Sequence, residues 1–258
     1  MTPVTLGWLS ATLLLAGMLG MLEVGRRAGA RAFAVDSEAK NGTGPIEGAV
    51  FALLGLLIAF TFSGALGRFD QRRALIVQEA NAVGTAWLRL DLVGPAEQPA
   101  LRDQLRAYVD ARLDAYAQLA HDPHAEGTFT KADALGATIW STAVAATKSQ
   151  LAPAAAMTLL MGALNDVFDV AAVRVRAARS HPPQIVYGML YLLALTAALF
   201  AGYGMGVCKR RRWLHSVGFS IVIAGTVGVT LDIEHPRQGL IRIDPFDQVL
   251  ADVRAGMR

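Results

Sequence analysis

Four runs without a charged side chain divide this chain: residues 4–22, 48–66, 185–208 and 216–231. A bilayer's hydrocarbon core, about 30 Å thick, is crossed by about 20 mostly apolar residues at about 1.5 Å of helical rise each. The first three runs meet that length. The fourth, the shortest, reaches it only if Trp213 and Leu214 contribute, and its span is set at 214–231. Between the second and third runs the composition is that of an ordinary water-facing helical domain. The expected fold is therefore an all-α integral membrane protein: a first helix pair within 1–66 (4–22, 48–66), a helical extramembrane domain over 67–184, a second pair within 185–231 (185–208, 214–231), and an interfacial tail over 232–258.

A cleaved signal peptide would carry a positively charged start, and residues 1–6 carry no charge. The first run is also long for a signal sequence and is followed by no clear small-residue cleavage site before Arg26, so it is expected to stay. Small residues recur four apart: Gly55, Ala59, Ser63 and Gly67 in the second run; Ala194, Ala198 and Gly202 in the third; Ser220, Ala224 and Gly228 in the fourth. Lipid tails are as apolar as leucine, so helices associate in a membrane through close backbone approach along such stripes. Packing within one chain and packing between subunits explain them equally well.

Charged residues are 17% of the chain, against about 25% in a soluble domain. The 24 basic and 21 acidic residues nearly balance, which argues against a nucleic-acid surface. Arginine far outnumbers lysine, and with the alanine bias this suggests a GC-rich bacterial genome. Sidedness is not decided by charge. Arg26, Arg27, Arg31, Lys40 and the cations at 209–212 flank one side; Arg68, Arg72, Arg73, Arg174, Arg176, Arg179, Arg237 and Arg242 flank the other. That is eight against eight, where the positive-inside rule needs an excess.

The second run continues without a breaker to residue 92, where Gly94 and Pro95 stop it. Three further helices are expected. One covers 99–120, with Leu101, Leu105, Tyr108, Leu113, Tyr116 and Leu119 on one face. The others cover 131–149 and 153–179, the last with a stripe of Met157, Leu160, Met161, Leu164 and Phe168.

Chemistry is sparse. His121 and His124 are separated by Pro123, which breaks the helix that would align them as metal ligands. His181, His215 and His235 each adjoin a membrane boundary and show no partner cluster in the sequence. The lone Cys208 has no base beside it, and no Gly-x-Ser-x-Gly elbow or phosphate-binding loop occurs. No catalytic residue, metal site or cofactor is expected, and no enzyme. More informative are the polar residues of the extended second helix, Arg68, Arg72, Arg73, Glu79, Asn81 and Arg89. Asn165, Asp169 and Arg174 could partner them. Two readings stand: a network holding the domain together, or a hydrophilic vestibule of paired charges facing water.

Several stretches resemble the bacterial bestrophin-like membrane family: Gly-Leu-Leu-Ile-Ala-Phe-Thr-Phe-Ser-Gly-Ala from Gly55, Arg-Phe-Asp-Gln-Arg-Arg from Arg68, and Glu79, Ala80 and Asn81. Leu164, Asn165 and Arg174 before Pro182 and Pro183 resemble its second block, and Asp232 with the segment 236–242 resembles its closing one. The resemblance implies a two-plus-two helix layout, a homo-oligomer that would be a pentamer as in bestrophins, and passive conduction of chloride or another small anion. By that likeness the second span would line a narrow neck, for which Phe51, Leu54, Ile58 and Phe62 share a face; lipid contact would use the same face. Asp232, Glu234 and Arg237 of the tail would lie at the membrane interface. The alternative is a non-conducting scaffold or sensor whose helical domain binds a protein.

Overall fold

A computed structural model describes residues 3–35, 44–122, 127–148, 153–206, 213–237 and 239–258. Lys40, His124, Cys208, the cations at 209–212 and Gln238 lie outside the described residues. The described chain is helical throughout, with no strand: α1 (Pro3–Val35), α2 (Gly44–Arg89), a 3-10 turn (Leu90–Leu92), α3 (Gln98–His121), α4 (Thr130–Lys148), α5 (Ala154–Arg179), α6 (Gln184–Met205), α7 (Trp213–Glu234), a second 3-10 turn (Asp244–Asp247) and α8 (Gln248–Gly256). Four helical stretches are long and apolar enough to cross a membrane. The protein is an all-α membrane protein.

Two helices run past their apolar stretches for legible reasons. In α1, Glu23 accepts from Arg26 Nε at 2.9 Å and Arg27 Nε at 2.7 Å, one helical turn on. Such pairs at i+3 and i+4 support helix, so the charges that close the apolar run lie inside the element. α2 continues through its own polar half to Arg89, 46 residues in all, or about 69 Å at 1.5 Å per residue.

The chain divides into two compact units, each assembled from two separated segments. Unit 1 comprises Met1–Gly67 and His181–His235; unit 2 comprises Arg68–Ser180 and Pro236–Arg258.

In unit 1, α1 packs along α6 and α7 around a core of Leu14, Met18, Leu22, Leu54, Leu190 and Val227, with alanines between them. Glycine sets how closely α1 and α6 approach. A Cβ on Gly25 would stand 2.0 Å from the Leu199 carbonyl oxygen, and one on Gly202 would stand 2.1 Å from that of Leu22. The stripes of the third and fourth apolar runs are thus used inside the chain. Ala194, Ala198, Ser220 and Ala224 are buried, and a Cβ on Gly228 would meet Trp8 at 3.1 Å. The stripe in α2 is different: Cβ atoms at Gly55 and Gly67 would meet nothing within 4 Å, and Ala59 and Ser63 are exposed.

Unit 2 packs α3, α4 and α5 against the polar half of α2. The expected α3 face (Leu101, Leu105, Tyr108, Tyr116, Leu119) and the α5 stripe (Met157, Leu160, Leu164) are buried in one core. α4 presents small residues, and Gly136 lets it close on Phe168. The sequence set 232–258 apart as one tail, but the structure divides it. Asp232 and Glu234 finish α7 in unit 1, whereas the segment from Pro236 folds into unit 2, where Leu250 and Met257 enter the core. Burial of those two side chains ties the segment to unit 2.

Candidate functional site

Glu79 is fully buried on α2 and gathers the charges of unit 2. Arg112 Nε donates to its Oε1 at 2.9 Å, the Tyr116 hydroxyl donates to its Oε2 at 2.8 Å, and Arg174 donates to the same Oε2. Arg174 also reaches Asp247, and its guanidinium lies 3.6 Å from the centroid of the Tyr116 ring. Arg237 Nη1 donates to Asp244 at 2.9 Å and Asp247 at 3.0 Å. Arg112 lies 4.7 Å from the Phe129 ring centroid. Three arginines (112, 174, 237) therefore face three carboxylates (79, 244, 247), and the network is neutral as a whole. Burial, followed by the negative charge of Glu79, pushes the Tyr116 hydroxyl far above the ordinary tyrosine range, so Tyr116 stays a donor. Burial also raises Asp244, against the pull of Arg237 and with help from Asp247.

Of the residues named from the sequence, the structure brings Glu79, Arg174 and Arg237 together and adds Arg112, Tyr116, Asp244 and Asp247. The signal for Arg112 was present. It continues the stripe Leu101, Leu105, Tyr108 and Tyr116 at helical spacing, so it is a charge on an apolar face. The other named residues have separate roles. Arg72 is nearly buried and caps the end of α5, donating to the carbonyls of Ala177 at 3.1 Å and Ser180 at 2.8 Å. Arg89 donates to the Leu159 carbonyl at 2.7 Å. Arg73 lies over the Phe246 ring, 4.2 Å from its centroid. Asn165 and Asp169 pair with each other on the exposed side of α5, Asn81 is exposed, and Arg68 is half-buried.

The membrane half of α2 is the other candidate. Leu54 is 2% exposed and enclosed by its own unit, which removes it from any surface that could line a pore between copies. Phe51 packs edge-on to Phe219. Ile58 and Phe62 are half-buried and, with Gly55 and Ala59, form one wall of an open apolar groove whose other wall is Ile221, Val222, Gly225, Thr226 and Val229 of α7. Around the helix from that groove, Ala52 and Ser63 are exposed, followed by the large side chains of Leu53, Leu56 and Phe60.

At the end of α7 the structure corrects the reading of isolated boundary histidines. His181 and His235 stack, with ring centroids 5.0 Å apart and planes 16° apart. His181 Nδ1 lies 3.7 Å from Oε2 of the buried Glu234. Asp232, also buried, accepts from the Trp8 indole at 3.2 Å. Residues far apart in sequence build this cluster, so no local pattern announces it.

A family profile described as Bestrophin-like domain matches residues 12–247. Among solved structures, a membrane-protein crystal structure is similar at 14% identity and a TM-score of 0.71, covering 96% of each chain. A bacterial bestrophin homologue from Klebsiella pneumoniae is similar at 14% identity and a TM-score of 0.69, covering 96% of this chain and 98% of that one. No curated protein sequence matches the chain.

Proposed function

This chain belongs to the Bestrophin-like family, and on that premise we propose that it assembles as a homo-oligomer in the bacterial inner membrane and passively conducts a small anion such as chloride. One observation carries the reading. In its most apolar window α2 is 11% buried, against 22%, 28% and 39% for the other candidate spans. Its small-residue edge is also open, while those of α6 and α7 are used inside the chain. A helix left bare by its own fold, with one edge shaped for close approach, is suited to line an axis shared by copies.

The neck is assigned to the exposed and half-exposed side of α2. Phe62 and Ile58 stay as candidates from one edge; Leu54 does not. At the mouth, the half-buried Arg68 is assigned beside the permeating ion, while Arg72 holds backbone carbonyls and Arg73 lies on Phe246. Phe62→Ala is expected to raise the conductance of an active channel, and unchanged conductance would take Phe62 out of the neck. The scaffold reading calls for exposed apolar surface on the helix after Pro95. The large apolar side chains of Gln98–His121 are instead buried or half-buried, so no observation favours it.

Native mass spectrometry of the detergent-purified protein tests the assembly without knowledge of ion or gate. A pentamer supports the proposal and leads to anion flux from liposomes. A monomer or dimer that persists across mild detergents overturns it.

A further inference from the structure

We infer that the polar half of α2, beyond its apolar run, carries a second contact between copies of this chain. This contact rests on the assembly proposed above and adds where unit 2 meets its copies. Gln71, Ala74, Gln78, Asn81, Thr85 and Leu88 are all exposed, and the exposed Leu92 of the following 3-10 turn extends the line. Their spacing alternates three and four residues, the 3.5-residue period of a helix seam that faces another helix. Gly67, on the open small-residue edge, precedes them in the same period.

Charge selects what covers the seam. About a rotation axis each residue meets its own copies, so an ionised side chain there would meet like charge. The seam positions from Gln71 to Leu92 hold no ionised group. The charges of this half are engaged elsewhere: Arg72 and Glu79 are buried, Arg73 lies on Phe246, and Arg89 donates to the Leu159 carbonyl at 2.7 Å. Asp70 and Asp91 flank the seam, the first 3.4 Å from Arg73 and the second paired with Arg102. Amides and hydroxyls both donate and accept, so Gln78, Asn81 and Thr85 can each bond to an identical side chain. A different protein would bring its own charges and ask for no such neutrality. At the far end Leu88 is 68% exposed and Leu92 45%; Leu159, on the helix packed against that 3-10 turn, is 49% exposed. Isolated exposed leucines are ordinary, but three gathered at one end of a unit form an apolar patch of the kind that marks an interface. In a ring, neighbours meet at the flanks of such a face, so the contact is compatible with a passage along the axis.

The test is cross-linking of the detergent-purified full-length chain in a Cys208→Ser background, with the subunit count read in parallel by native mass spectrometry. Thr85→Cys is expected to be joined to its copy by a short bismaleimide, whereas Asp114→Cys, on the exposed side of α3, is not. Adding Asn81→Lys puts like charges on the seam and should cut the Thr85→Cys cross-link at least about tenfold, with helicity by circular dichroism kept. Thr85→Cys joining no better than Asp114→Cys, on protein that is oligomeric, overturns the contact and leaves the assembly standing. So does a cross-link that Asn81→Lys does not weaken. A wild type that stays monomeric overturns the assembly and the contact together.

Discussion

Glu79, fully buried, faces two arginines and a tyrosine hydroxyl. Removing its charge leaves Arg112 and Arg174 buried against a deficit, and breaking a buried pair from one side costs about 3–5 kcal/mol. Glu79→Gln is expected to lose about that much, read as a lower midpoint in chemical denaturation of the detergent-solubilised protein. A loss within about 0.5 kcal/mol, the scale of a surface substitution, would show that the network contributes little. Asp244 gives a pH signature. Its folded pKa is raised, so its contribution to stability is present at low pH and is lost as pH rises through the folded value. Asp244→Asn removes that dependence. Its thermal midpoint relative to wild type should therefore move in the variant's favour between pH 4 and 7. Sequence reasoning found Glu79 and Arg174 because charges interrupting an apolar helix stand out. It passed over Asp244 and Asp247, since acids in a polar tail look like solvated residues until the tail is seen to fold back.

Helices were the most legible level. Seven of them and their approximate ends follow from hydrophobic period and from breakers such as Gly94 and Pro95; α8, in the segment read as a tail, was not anticipated. The end of α1 does not, because Glu23 converts a charge boundary into helix support. What the small-residue stripes do was not readable either, since a stripe used within the chain and one used between chains have the same spacing. Substitution separates them. Gly25→Ala puts a methyl where the Leu199 carbonyl stands, so α1 and α6 must move apart. A fall of several degrees in the thermal midpoint is expected, and a midpoint equal to wild type would refute the close packing. At Gly55 an added Cβ meets nothing within 4 Å, so Gly55→Leu is the complementary substitution. It should leave helicity by circular dichroism intact while lowering the subunit count by native mass spectrometry. An unchanged count would place that edge against lipid.

For the molecule as a whole, family and fold were visible in the motifs, while the pairing of distant segments was not. The tail completes unit 2 through Leu250, which is 1% exposed and 161 residues beyond the end of α2 (250 − 89). Leu250→Ala is expected to destabilise that unit by about 2–5 kcal/mol, read by denaturation; a loss below about 0.5 kcal/mol would mean the tail is not part of its core. The interleaving of the units also sets a timetable for synthesis. Unit 1 needs His181–His235, yet the 113 residues from Arg68 to Ser180 (180 − 67) are made first. At roughly 5–20 residues per second, the ribosome takes on the order of 6–20 s to make them. Through that interval α1 waits in the bilayer with its glycine-lined face uncovered, because the α6 backbone that fits it has not been translated. Unit 2 in turn is finished only once residues 236–258 have been made. A nascent chain interrupted between Ser180 and His235 would hold two half-built units.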